Sequence, residues 1–239
     1  MQYTRFMMAG MTVFFLIEIV GCGSSLSPVD QLKDQLRDVP TYSIILEDMK
    51  EDGNIFTHYF HKYKVVQLEK SWITGWEEVS ESFYQKNANF LGMTLAGKKD
   101  GTASNQVAPP GYAYVGDSNY GQWRTDSSGG SFWEFYGKYR MFTDVLGFMS
   151  GPVYRHDYDD YNRYSTQRRP FFGRNNQYGT NGEYTKKHNP SFFERRMARN
   201  QQKKSSFSNR VSSRFGSSDS SKIGRTRTGF RSRSMGRGK

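Results

Sequence analysis

The chain has 239 residues, 34 Lys+Arg against 23 Asp+Glu, a formal net charge of +11 and one cysteine. A single cysteine excludes a disulfide within the chain and any multi-cysteine metal site. The charge is unevenly placed: residues 1–150 hold 13 Lys+Arg and 17 Asp+Glu, whereas residues 151–239 hold 21 and 6. Aliphatics divide the same way, since Val153, Val211 and Ile223 are the only Val, Ile or Leu after residue 150. A segment that poor in aliphatics is expected to bury too little surface to offset its chain entropy.

The first element is Arg5 followed by an apolar run from Phe6 to Val20, the layout of a secretory signal. It ends Ile19-Val20-Gly21-Cys22, followed by Gly23-Ser24-Ser25. This box resembles the lipobox of bacterial lipoprotein precursors, with Ile19 three residues before the cysteine and Gly21 directly before it. The resemblance covers residues 1–22. It implies that the Cys22 thiol is alkylated by a diacylglyceryl group, that the chain is cut before Cys22, and that the new N-terminus is acylated. Gly23, where an aspartate would signal inner-membrane retention, implies the outer membrane in a Gram-negative envelope. An uncleaved anchor helix is the alternative, but the run falls short of the ~20 apolar residues that span a bilayer.

Ser27-Pro28-Val29-Asp30 predicts a helix start, with Ser27 as cap and Pro28 in the first turn, and Val29, Leu32 and Leu36 on one face. Pro40 ends it. Thr41 to Met49 and Ile55 to Leu68 read as two strands joined at Asp52-Gly53, with Trp72 to Trp76 as a third. On the second strand one face holds Ile55, Tyr59, Tyr63 and Val65. The other holds Phe56, Phe60, Val66 and Leu68. Val79 to Leu91 reads as a helix, Tyr112 to Val115 as a short strand, and Phe132 to Leu146 as a helix opened by the Ser131-x-x-Glu134 box.

The expected fold class is therefore α+β, a small antiparallel sheet with covering helices followed by a long disordered basic tail. Residues 1–21 are read as signal peptide, 22–27 as a lipidated tether, 28–150 as the small domain and 151–239 as an Arg/Ser/Gly-rich tail. Tail cations, Arg195, Arg196, Lys203, Lys204, Arg225, Arg227, Arg231, Arg233 and Arg237 among them, are read as polyanion-binding residues. In an exported protein their partners are anionic phospholipid, lipopolysaccharide or teichoic-acid phosphates, met by Arg–phosphate chemistry. Nucleic acid becomes the partner only if export fails, because a cationic segment with spaced aromatics also suits single strands.

No catalytic constellation stands out and no cofactor spacing is present. His58 and His61 lie three apart, which on a strand directs them to opposite faces, away from a common metal. His156 with Asp157, Asp159 and Asp160 lacks the glycine and closing glutamate of a calcium loop. Asp117, Asp126 and Glu134, set among tryptophans, are the carboxylates an envelope glycan hydrolase would use, the rival to a non-enzymatic envelope protein.

Overall fold

The computed structural model describes residues 26–53, 55–139 and 151–215. The expected signal segment, Cys22, residues 140–150 and the last basic stretch lie outside the described residues.

The first helix, α1 (Pro28–Gln35), starts as its sequence predicts: Ser27 Oγ accepts from the Asp30 amide (3.2 Å) and Pro28 stands in the first turn. Strand β1 (Tyr42–Asp52) pairs antiparallel with β2 (His58–Gln67), the hairpin expected from the β-branched and aromatic runs. Ile55 and Phe56 belong to the connection rather than to β2, and are 89% and 78% exposed. Two short strands, β3 (Ser71–Ile73) and β4 (Glu77–Val79), flank the far side of β2. Helix α2 (Glu81–Asn87) follows, its first turn capped by Ser80. Strands β5 (Thr94–Lys99) and β6 (Thr102–Ser104) complete the sheet, whose order is β3-β2-β1-β5-β6 with β4 also on β2. The fold class is α+β, with a small antiparallel sheet and covering helices.

The two sheet faces separate Tyr59, Tyr63 and Val65 from Val66 and Leu68, as expected, while Ile55 and Phe56 are off the strand and Phe60 joins neither cluster. Ile44, Leu46, Met49, Tyr63 and Val65 pack under α1 and α2. Ile45 and Val66 pack on the other side against Tyr114 and Tyr120. Ser43 and Tyr114 share a hydrogen bond on that side (3.0 Å).

Two predicted elements take another form. Tyr112–Tyr114 is a 3₁₀ turn, entered from Gly111 at φ +87°, not a strand. Ser131–Phe135 is a strand, β8, paired with β7 (Gly121–Thr125), not the start of a helix. Trp123 faces Trp133 across that pair at 5.1 Å, and Glu134 reaches Arg124 on the partner strand at 2.7 Å. Cross-strand pairing of large aromatics outweighs a capping-box spacing, which is a local signal only. The rest of the predicted helix, to Leu146, falls outside the described residues.

The larger correction concerns residues 151–215, expected within the disordered tail. They form α3 (Arg155–Thr166), α4 (Glu183–His188) and the 26-residue α5 (Pro190–Phe215). Aromatics do the burying that aliphatics do elsewhere. Val153, Tyr161 and Phe171 pack with Tyr112 and Trp133, and Phe192 enters the main core beside Met49 and Tyr84. Each such ring contributes about 2 kcal/mol of apolar burial. Thr180 ties the connecting loop to α2: its Oγ1 donates to the Ala88 carbonyl (2.6 Å) and accepts from the Leu91 amide (3.2 Å). Gly179, at φ +77°, must be glycine there, since a Cβ would stand 2.7 Å from the Asn89 carbonyl oxygen.

Two predictions follow from this core. A chain ending at residue 150 is expected to lose its cooperative melting transition, read by circular dichroism, because it uncovers the core that Phe192, Tyr161 and Phe171 close. The second concerns His61, which is fully buried, shares a hydrogen bond with the Tyr63 hydroxyl (3.0 Å) and has no partner for Nε2. Burial pushes its pKa down from 6.5 to about 4. Below pH 6.5 the unfolded chain takes up a proton that the folded chain refuses until about pH 4. Stability therefore falls as pH drops through that window, by up to about 3 kcal/mol. Denaturant midpoints at pH 7 and pH 4.5 are expected to differ less in His61→Phe than in the wild type.

Candidate anionic-ligand groove

Four of the nine predicted basic residues, Arg195, Arg196, Lys203 and Lys204, lie on α5, which runs along β1. Beyond Leu46, strand β1 leaves β5, and Glu47 is skipped in the pairing with β2, a bulge. The uncovered edge of β1 is where α5 docks. Asn189 Nδ2, just ahead of the helix, donates to the Glu47 carbonyl (2.9 Å). One Arg195 Nη donates to both oxygens of Asp48 (2.6 and 2.7 Å), and the guanidinium lies 5.7 Å from the Trp76 ring centroid. Arg199 Nε donates to Glu51 Oε2 (3.0 Å), while its two Nη groups reach the carbonyls of Glu51 (3.4 Å) and Gly53 (3.2 Å). Lys203 Nζ adds a second cation to Glu51 Oε2 (3.3 Å).

Between α5, α2 and this edge runs a groove of about 620 Å³, bordered by Tyr84, Asn89, Asn181, Arg196, Arg199 and Asn200. The ionic groups around it are Lys50, Arg195, Arg196 and Arg199 against Glu51 and Asp52, a surplus of positive charge. Asp52 is held below the usual carboxylate range by the Gly53 amide and Lys50. The buried Tyr84 hydroxyl is pushed up to about 12, so it stays a protonated hydrogen-bond donor. Guanidinium, amide and phenol groups suit recognition of a carboxylate or phosphate.

The nine predicted polyanion residues thus divide. Arg195 and Lys203 are engaged by carboxylates of the body. Arg196 and Lys204 are exposed and have no carboxylate partner among the described residues. Arg225, Arg227, Arg231, Arg233 and Arg237 lie outside the described residues. Arg199, which the sequence reading left out, bonds Glu51, Gly53 and Thr57. Its signal was spacing: Arg195, Arg199 and Lys203 recur every four residues on one helical face.

The carboxylates of the hydrolase alternative are each held by their own neighbours. Asp126 ties the β7–β8 turn through Ser128 and the Gly130 amide. Glu134 pairs with Arg124, and Asp117 accepts from the Asn119 amide and pairs with Lys99 (3.1 Å). All three pKa values are lowered by those bonds, so none is poised as a general acid. Among the described residues the one carboxyl raised by burial is Glu47, at the bulge and outside that region. His58 pairs with Glu78 (2.7 Å) in an exposed position while His61 is buried, as strand alternation requires. Asp157 caps the Tyr154 amide, and Asp160 pairs with Arg163 (2.6 Å). Among the described residues no three His, Cys, Asp or Glu side chains are grouped to hold a metal ion, and no helix is long and apolar enough to cross a membrane.

Comparison with protein families, with characterised proteins and with solved structures finds no match to this chain.

The two kinds of arginine separate by stability. Arg199→Ala is expected to lower the unfolding free energy by about 2 kcal/mol, because it strips charge-assisted bonds from a half-buried carboxylate and two carbonyls. Arg196→Ala is expected to change it by less than about 0.5 kcal/mol. Urea denaturation of both variants beside the wild type checks this.

Proposed function

We propose that this chain is a lipid-anchored bacterial envelope protein without enzymatic activity, held to a membrane through Cys22, whose C-terminal cations engage anionic lipid or wall polymer. The observation that carries the reading is Ile19-Val20-Gly21-Cys22 at the end of an apolar run, with Cys22 the sole cysteine of the chain. A thiolate forms the thioether that no other side chain here can supply. Two or more acyl chains, at about 0.8 kcal/mol per buried CH₂, anchor stably rather than reversibly.

The partner half of the reading is supported by cations left over after the body is served. Arg196, Lys204, Arg210 and Arg214 face solvent on α5 without a carboxylate partner among the described residues. Phosphate-bearing lipid or polymer is the anion that an exported, tethered chain encounters.

The test is the intact mass of the protein extracted from membranes, beside Cys22→Ser. The expected mass is that of the chain from Cys22 plus its acyl groups, with that species absent from the variant. A mass equal to the unprocessed chain from Met1 overturns the reading and reopens nucleic acid as the partner of the cations.

A further inference from the structure

Helix α5 has two unlike halves. The first is fastened to β1 through Phe192, Arg195, Arg199 and Lys203. After Lys203 no ion pair to the body remains among the described residues, and every residue from Gln201 to Arg214 is exposed. Phe207, at 70% exposed, and Val211, at 37%, are one turn apart on the same side of the helix. Lys204 lies one turn before Phe207 on that side, and Arg210 and Arg214 border it. From Arg195 to Phe215 the helix contains no Asp or Glu. The opposite side is polar, with Ser205 and Ser213 donating to carbonyls of their own helix (3.0 Å each).

A twelve-residue helical end without packing is marginal in water, so this half is suited to a second surface. An apolar stripe bordered by Lys and Arg on an otherwise polar helix matches an interfacial membrane helix. We infer that residues 204–215 of α5 lie flat on an anionic bilayer, with Phe207 and Val211 entering the headgroup boundary and Lys204, Arg210 and Arg214 on lipid phosphates. The inference rests on the proposed lipid anchoring for the presence of that bilayer within reach, and it selects lipid over wall polymer as the occupant. The uniform positive sign of the stripe's border argues for the bilayer over a second copy of the helix, which would bring like charges together.

The test uses the full chain carrying Cys22→Ser, so that lipidation plays no part and an introduced thiol is unique. Single cysteines replace Phe207, Val211, Ser205 or Asn209, and each carries a polarity-sensitive fluorophore. Phosphatidylglycerol vesicles are expected to shift the emission to the blue at 207 and 211, with little change at 205 and 209. High salt or phosphatidylcholine vesicles abolish the shift. Arg210→Gln and Arg214→Gln each weaken partitioning about fivefold. Equal shifts at all four positions, no shift, or the same shift on phosphatidylcholine overturn the inference. So does a shift without vesicles that grows with protein concentration, which assigns the stripe to a second copy. Failure here leaves the anchoring reading standing, because that reading is decided by the mass of the wild-type protein.

Discussion

The edge of β1 after its bulge is the constraint on which the rest of the structure depends. A strand edge presents backbone groups that must find partners or invite another chain. Up to Leu46 the partner is β5 and the residues before it: the Leu46 amide donates to Met93 and its carbonyl accepts from Gly92. Past that point the sheet has no further strand to offer among the described residues. Side chains take over in order along the edge. Asn189 serves the Glu47 carbonyl, Asp48 accepts from the Met49 amide, and Arg199 serves the Glu51 carbonyl. Asp48 is itself fixed by Arg195. The chain from Asn189 to Lys203 is therefore an integral cover of the sheet. The distribution of charge along the sequence reflects this, because an acidic edge is met by a basic helix.

How much of this was legible depends on which interactions are local. α1 could be read because Ser27, Pro28 and Asp30 act within one turn of each other. The β1–β2 hairpin could be read because alternation along one strand assigns Tyr63 and Val65 to one face and Val66 and Leu68 to the other. α2 was only partly legible: a helix was expected over residues 79–91, but Val79 ends β4, Leu91 follows the helix, and of that face only Phe83 lies on α2, whose cap is Ser80. Ile55 and Phe56 misled, since apolar residues at a turn look like the start of a strand until the Gly53 turn fixes where pairing resumes. Ser131-x-x-Glu134 misled for a related reason. A motif defined over four residues could not register that Trp123, eight residues upstream of Ser131, was available to pair with Trp133.

Residues 151–215 were misread through a rule about composition. Counting Val, Ile and Leu treats burial as an aliphatic property, yet Tyr161, Phe171, Tyr178, Tyr184 and Phe192 are all buried. Aromatic rings bury as much area as aliphatics, and their hydroxyls can remain at a polar rim. These rings also need no core of their own, since they enter surfaces the sheet and the 108–133 region already expose. A segment that cannot fold alone can thus fold as a cover. For the groove, the sequence identified the basic residues as a set but not their separate duties. Duty depends on which side of α5 a cation occupies, and that side is defined only once Phe192 is docked.

The same docking decides what the distal cations can do. Between Ser191 and Phe215 the helix contains neither glycine nor proline, so nothing in its backbone favours a kink. Its direction is fixed by Phe192 in the core and by Arg195, Arg199 and Lys203 along the β1 edge. The exposed turns beyond therefore leave the body along a set line, with Phe207 and Val211 held on one side. The proximal pairs are partly buried and only weakly screened, whereas the distal cations stand in solvent and respond fully to salt. Ionic strength can thus loosen a distal contact with an anionic surface while α5 stays fastened to the sheet. On the proposed reading, that separation keeps the structural cover at one end of the helix independent of the reversible contact at the other.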